Sequence, residues 1–149
     1  MKKLAIGMAV FCFMMMTSGA VWCENRVPIP PNGTILDTST GLVWLQNGEC
    51  FGLLNWQNAT NAAAGLKSGS CGLTDGSTAG KWRLPTKDQL SNRQKNKNGF
   101  SNIQPSAYWS SSSSGPVLDE IWTVNMQVGG AYSGSKSEGH YVLPVRDGQ

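Results

Sequence analysis

The chain has 149 residues, with 12 basic and 9 acidic side chains and a formal net charge of +3. This length suits one domain of ordinary size, and so small a charge gives no support to nucleic-acid or membrane-surface binding. The 18 glycines, together with many serines, predict a loop-rich fold with little helix.

Residues 1–20 have the three parts of a secretory signal peptide. Two lysines precede an apolar run at 4–16, and the small residues Ser18 and Ala20 define a cleavage site after Ala20. The run is too short to span a bilayer comfortably, since a helix needs about 20 residues, although an uncleaved anchor is the alternative. We therefore expect an exported protein, secreted or in the periplasm or cell envelope, without a membrane span after cleavage.

Three cysteines follow the expected cleavage site. Cys50 and Cys71 flank one predicted helix, and an oxidising compartment permits their disulfide, with two free buried thiols as the alternative. Cys23 remains free or links two chains; its lipidation is disfavoured because Trp22 stands where signal processing prefers a small residue. The single histidine, His140, and the absence of a Cys-x-x-Cys motif disfavour a zinc site.

The first half of the chain predicts a hairpin. Residues 21–33 contain three prolines and indicate an extended lead-in before a domain at 34–149. The runs at 34–37 and 42–45 flank a turn that ends in Gly41, a residue type that tolerates positive φ. These two runs therefore predict antiparallel strands.

Two helices are predicted from their capping residues. Asn55 can cap a helix at about 56–66, whose apolar residues recur at helical spacing. Thr86 and Gln89 have the spacing of a capping box and predict the start of a second helix. We expect this helix to be short, because residues 92–99 are polar and basic.

The last third of the chain predicts β-structure. Pro144 lacks an N–H donor, so its strand should lie at a sheet edge or end its pairing there. The serine run at 110–114 indicates a loop or a strand end. The predicted fold class is α+β, a single loop-rich domain with two helices and an antiparallel sheet with hairpins. The strand-like segments are 82–85, 108–111, 121–126, 131–133 and 141–146.

Several motifs occur together in one order. They are TGLVW at 40–44, NWQNA at 55–59, CGLTDGSTAGKWRLPT at 71–86, YWSS at 108–111 and PVR at 144–146. In combination they closely resemble the Lcl C-terminal domain family, and the similarity covers about residues 34–149. The resemblance implies an exported bacterial protein with a C-type lectin-like fold, in which the N- and C-terminal strands pair.

The family is named for a collagen-like surface adhesin, and the resemblance implies binding of sulfated glycosaminoglycans by its terminal domain. Two departures matter. Only nine residues separate Leu90 from Phe100, where relatives usually carry a longer stretch, and no collagen-like repeat precedes the domain. The named adhesin is a trimer, but because of these departures the resemblance does not imply a trimer for this chain.

The recurring family residues are expected to be structural. Tryptophans can stack on sugar rings, but a domain of this size needs large core residues, so we predict core positions for Trp44, Trp82, Trp109 and Trp122, and also for Trp56. For Arg83 and Arg146 we expect ion pairs with Asp37 or Asp75, and 75–77 reads as a turn. The full set of motif residues is Gly41, Trp44, Trp82, Arg83, Pro85, Trp109, Ser110 and Arg146.

A basic stretch is the candidate ligand-binding site. Arg93, Lys95 and Lys97 alternate, so an extended chain would present all three on one side, with Lys87 nearby. Clustered cations attract sulfated or phosphorylated polymers. An ordinary solvated loop is the alternative interpretation.

Calcium-dependent sugar binding and catalysis have little support. The triplet at 104–106 has the proline of a C-type lectin calcium motif but lacks its carboxylate, and adjacent acids such as Asp119 and Glu120 usually occur in a solvated loop. His140 has no obvious acidic partner nearby, and no nucleophile motif, paired-carboxylate signal or phosphate-binding loop occurs. We expect no catalytic, metal or cofactor-binding residue.

The predicted function is an exported binding or adhesion module for an acidic glycan, such as a sulfated one. The first alternative is a structural module or one that binds an envelope protein. The second, less favoured, is an enzyme related to the formylglycine-generating fold, which requires reactive cysteines beside metal ligands.

Overall fold

A computed structural model of the chain describes residues 32–116 and 119–148. The predicted signal peptide, Cys23 and nearly all of the predicted lead-in lie outside the described residues. The fold class is α+β, as predicted, but the strands form two small antiparallel sheets of three strands each. The elements are β1 Thr34–Asp37, β2 Leu42–Leu45, α1 Trp56–Gly65, α2 Lys87–Lys95, β3 Ala107–Ser113, β4 Glu120–Asn125, β5 Ala131–Ser135 and β6 Val145–Asp147.

The first sheet has the strand order β1-β2-β6. The predicted hairpin is confirmed: the Asp37 carboxylate accepts from the Ser39 N–H at 3.0 Å, and Gly41 closes the turn at φ 72°. The last strand pairs with β2, so the N- and C-terminal strands meet as the resemblance implied. Pro144 directly precedes β6, which lies at the sheet edge and is shorter than the predicted strand at 141–146.

The second sheet has the order β3-β4-β5. Most of the serine run belongs to β3, whose pairing with β4 shifts register between Trp109 and Ser113. Ser110 is fully buried, and its hydroxyl donates to the Trp122 carbonyl at 2.6 Å and accepts from the Ser112 N–H at 3.1 Å. A serine is therefore accommodated in the interior because its polar group is satisfied.

Both predicted helix caps are present. The Asn55 side chain accepts from the Asn58 N–H at 2.9 Å, and Thr86 and Gln89 form the reciprocal bonds of a capping box. The small residues on the buried face of α1 allow it to pack closely against β3. The second helix extends to Lys95, which is further than its polar sequence suggested.

The core contains three of the tryptophans predicted to be buried. Trp44, Trp82 and Trp109 are 1%, 2% and 0% exposed. The core prediction is wrong for Trp122, which is partly exposed because its face of β4 meets the long, flexible side chain of Lys87, 5.0 Å from the ring centroid, rather than apolar side chains. Trp56 packs partly buried against the α1 cluster.

The predicted disulfide is present. Cys50 and Cys71 are bonded, with Cα atoms 5.6 Å apart, and both pack against the buried cluster that includes Leu73 and Trp82. The bridge holds the long loop after α1 against the segment that follows β2. Within the part of the chain that the structure describes, neither helix has the length and apolar character needed to cross a membrane.

Candidate functional site

An open groove of about 610 Å³ lies between the loop after α1 and the end of β6. Three recurring family residues line it, although 71 positions separate the loop residue Asp75 from Arg146 on the last strand. The groove therefore brings distant motifs together. Its lining residues are Asp75, Gly76, Ser77, Thr78, Gly80, Lys81, Trp82, Arg83, Arg146, Asp147 and Gly148.

The loop that forms one wall is fixed at several points. The Gly80 N–H donates to the Ala64 carbonyl of α1 at 2.7 Å, and the Thr74 N–H donates to the Asn32 carbonyl at 3.0 Å. The disulfide attaches the same loop at Cys71. These attachments preform the wall, so its polar groups hold their positions without a ligand.

The floor of the groove is a closed ring of interactions. The Trp82 indole N–H donates to the Ser77 hydroxyl oxygen at 2.9 Å, and that hydroxyl donates to Asp75 Oδ1 at 2.7 Å. Arg146 Nη2 donates to Asp75 Oδ2 at 3.1 Å, and its guanidinium carbon lies 5.3 Å from the Trp82 ring centroid. The predicted pair of Arg146 with Asp75 is thereby confirmed. At 75–77 the Ser77 N–H also donates to Asp75 Oδ1 at 3.1 Å.

The Asp75 carboxylate stays charged in this ring. Its side chain is only 1% exposed, and burial by itself raises its pKa. The hydrogen bonds from Ser77 and the neighbouring Arg146 guanidinium together outweigh burial and hold the Asp75 pKa below its usual value. The positive charge of Arg146 is therefore balanced within the floor.

The rim carries two exposed cations on one side of the chain. Residues 81–84 alternate between exposed Lys81 and Arg83 and buried Trp82 and Leu84. Arg83 pairs with Val145 of β6 through two backbone hydrogen bonds of 2.9 Å, which fix its backbone beside the last strand. Lys81 and Arg83 are therefore both exposed to solvent, while the Trp82 side chain between them packs into the core.

Arg83 has a different partner from those predicted. Its Nη2 donates to Asp147 Oδ1 at 3.2 Å, and its Nη1 donates to Gln89 Oε1 at 3.2 Å. The prediction of Asp37 or Asp75 is wrong for Arg83, because the bridge to β6 places Arg83 beside the exposed end of that strand. Lys81 forms no salt bridge with any residue that the structure describes.

The predicted basic site is not assembled as expected. Arg93 and Lys95 belong to α2, where residues two apart point to nearly opposite sides because a turn takes 3.6 residues. Arg93 is 6% exposed and lies 4.6 Å from the Phe100 ring centroid, and Lys97 Nζ donates to the Met126 carbonyl at 2.6 Å. The expectation of one shared face for Arg93, Lys95 and Lys97 is therefore wrong.

The remaining candidate positions have local partners. His140 Nε2 lies 3.2 Å from Glu138 Oε2, so the expectation of no acidic partner is wrong. Glu120 is a strand residue whose carboxylate accepts from the hydroxyls of Ser114 and Ser133. Across residues 32–116 and 119–148, no three His, Cys, Asp or Glu side chains converge on a metal position.

The family comparison covers all of the groove residues except Asp147 and Gly148. The family model described as the Lcl C-terminal domain matches residues 33–146. The chain belongs to the Lcl C-terminal domain family. The match begins just before β1 and ends on Arg146 of the groove floor, and it places the chain among extracellular or envelope modules. A search of curated proteins found no match to the chain.

Lys81 and Asp147 are groove residues of this Lcl C-terminal domain that were not predicted from the sequence. The signal for Lys81 was present, because charged and apolar residues alternate through Lys81-Trp82-Arg83-Leu84. No local signal indicates Asp147, since its position beside Arg83 depends on the pairing of β6 with the distant Arg83 segment.

Proposed function

We propose that this Lcl C-terminal domain is an exported, non-catalytic adhesion module that binds an acidic glycan in the groove. The observation that carries the proposal is the pair of exposed cations, Lys81 and Arg83, which flank the buried Trp82 at the rim of the groove. Ammonium and guanidinium groups form charge-assisted hydrogen bonds with sulfate and carboxylate oxygens. The groove thus offers two neighbouring positions for the anionic groups of a polymer.

The rest of the groove suits a chain that lies across the surface. Gly76 and Gly80 have positive φ and open space where a Cβ would lie, so this wall presents backbone rather than bulky side chains. The buried Asp75 and Arg146 neutralise one another below, which leaves the rim cations to set the local potential. Three basic and two acidic side chains line the groove, so its balance favours an anionic ligand.

A binding experiment with a matched pair of variants tests the proposal. The probe is a heparin-derived octasaccharide, and affinity is measured by calorimetry at low and moderate salt. The double variant Lys81→Ala and Arg83→Ala should lose at least about tenfold in affinity, since each contact of a charged group contributes about 1.5–3 kcal/mol. Its salt dependence should also become shallower, because fewer counter-ions are displaced.

The control is the double variant Lys87→Ala and Lys95→Ala, which removes the same charge from the predicted basic site on α2. Binding by this control should stay within about twofold of the unmodified protein, as expected of screened charges that do not line the groove. Loss of binding in the α2 variant alone would transfer the site to the helix. If the unmodified protein binds no sulfated glycan, an envelope protein becomes the favoured ligand.

A further inference from the structure

The two carboxylates of the groove differ sharply in how they are held. Asp75 is 1% exposed and accepts three hydrogen bonds from Ser77 and Arg146. The side chain of Asp147 is 83% exposed, and it accepts one side-chain hydrogen bond, from Arg83 at 3.2 Å. Asp75 is thus part of the floor, whereas Asp147 lies at the surface and is paired with Arg83, a cation of the rim.

The ion pair of Asp147 with Arg83 is easily opened. The Arg83 side chain is itself 42% exposed, and exposed pairs of this kind contribute little to stability because water solvates both charges. Release of Asp147 places its carboxylate in solvent, so the cost of opening the pair is small.

Arg83 keeps its orientation when Asp147 leaves. Its Nη1 donates to Gln89 Oε1 at 3.2 Å and to the Leu84 carbonyl at 3.3 Å. Gln89 Oε1 also accepts from the Thr86 N–H at 3.0 Å, within the capping box of α2. The helix start therefore anchors one side of the guanidinium, while the other side, Nη2, stays directed at the position that Asp147 occupies.

We propose that Asp147 is an internal competitor, a carboxylate that occupies the anion position on Arg83 and is displaced by an acidic ligand. This inference rests on the proposed function of the groove and adds the residue that limits its affinity. A ligand with a single anionic group replaces the ion pair of Asp147 with one similar ion pair, so it gains little binding free energy. A polymer that engages Lys81 and Arg83 together gains two contacts while displacing one, so Asp147 makes the groove select for closely spaced anionic groups.

Removal of the charge of Asp147 should therefore increase the affinity of the groove for an acidic glycan. The substitution Asp147→Asn keeps an oxygen that accepts from Arg83 but removes the competing charge. Affinity for the heparin octasaccharide should rise about two- to fivefold, the range expected for one exposed ion pair. The gain should be largest at low salt, where charges are least screened.

Asp88→Asn provides a closely matched control. Asp88 is 85% exposed and its Oδ1 lies 3.9 Å from Lys87 Nζ, so this variant also removes one exposed, paired carboxylate, but on α2. It should leave affinity unchanged within about 1.5-fold, since a screened charge outside the groove contributes little. Equal gains in Asp147→Asn and Asp88→Asn would overturn the competitor role and indicate a simple effect of net charge.

A sulfate titration tests the competitor role independently of the glycan. The Arg83 guanidinium NMR signals are followed as sodium sulfate replaces sodium chloride at constant ionic strength. In Asp147→Asn the midpoint should shift two- to fivefold lower than in the unmodified protein, as for one exposed pair. Identical midpoints would overturn the inference even if the glycan binds. If the glycan fails to bind but the midpoint shifts, the competitor role stands and the proposed function fails.

Discussion

Arg146 and Asp75 connect the last strand to the loop after α1 through a hydrogen bond of 3.1 Å between Nη2 and Oδ2. Their side chains are 16% and 1% exposed, so this ion pair lies largely in the interior. The disulfide holds the same loop from the other side, at Cys71. Besides its backbone hydrogen bonds, the groove wall is therefore held by an ion pair and by a covalent bond, and each of these two can be removed separately.

Removal of the Asp75 charge should destabilise the domain. Asp75→Asn leaves the Arg146 guanidinium without its counter-charge in a buried position, and breaking a buried pair in this way costs about 3 kcal/mol or more. Urea denaturation followed by tryptophan fluorescence measures the free energy of unfolding. Asp147→Asn is the control, because its exposed pair should cost less than about 1 kcal/mol. Similar losses for the two variants would contradict a structural role for the Asp75 ring.

The same carboxylate should make stability depend on acid pH. The pKa of Asp75 is lowered in the folded protein, so its charged form stabilises the fold above the unfolded pKa of about 3.9. That contribution is lost as the pH falls through the lowered folded pKa. The free energy of unfolding, measured from pH 6 to pH 2, should therefore decrease more steeply in the unmodified protein than in Asp75→Asn. Parallel curves would contradict this assignment.

Tyr108 should make the free energy of unfolding decrease as the pH rises into the alkaline range. Burial raises its pKa from 10.0 to about 12, and its hydroxyl donates to the Gly48 carbonyl at 2.9 Å. The neutral form is favoured in the folded state, so the contribution is complete below about pH 10, the unfolded pKa, and is lost as the pH rises towards 12. Unfolding of the unmodified protein between pH 9 and 12 should show this loss, and Tyr108→Phe should show less of it.

At neutral pH, Tyr108→Phe should also cost about 1–3 kcal/mol, because the Gly48 carbonyl and the Gln104 N–H both lose their partner. Tyr132→Phe is the control, since Tyr132 is 56% exposed. An unchanged alkaline profile in Tyr108→Phe would assign the pH dependence to other groups.

Features set by local chemistry were predictable from the sequence. The capping box of Thr86 and Gln89 and the cap at Asn55 depend on residues three positions apart, so the pattern determines the contact. The hairpin turn at Gly41 depends on four neighbouring residues in the same way. The family motifs also predicted one contact between distant segments, because the resemblance implied that the N- and C-terminal strands pair.

Contacts between distant segments were not predictable in the same way. Alternation at Arg93, Lys95 and Lys97 indicated an extended chain, but the fully buried Leu90 anchors α2 against the core and the helix continues to Lys95. Arg83 has no local sequence feature that selects Asp147 over the acids that were expected. The rim of the groove is created by the bridge between Arg83 and Val145, which only the assembled fold provides.

The disulfide should stabilise the domain through the unfolded chain. Cys50 and Cys71 are 21 positions apart, and closing a loop of that size is worth about 3 kcal/mol on the chain-entropy model. The double variant Cys50→Ser and Cys71→Ser should lose about that amount in urea denaturation. Its affinity for the heparin octasaccharide should also fall, because Cys71 fixes the loop that carries Asp75 and Ser77.

Reduction of the unmodified protein distinguishes the stabilisation by the covalent bond from the stabilisation by packing of the two sulfur atoms. With dithiothreitol present, the unmodified chain and the double serine variant should differ by less than about 1 kcal/mol, since both then lack the covalent constraint. A large difference that persists after reduction would show that the two sulfurs stabilise the cluster around Leu73 and Trp82 by packing instead. Unchanged glycan affinity after reduction would show that the charge pair of Asp75 and Arg146 suffices to hold the groove wall.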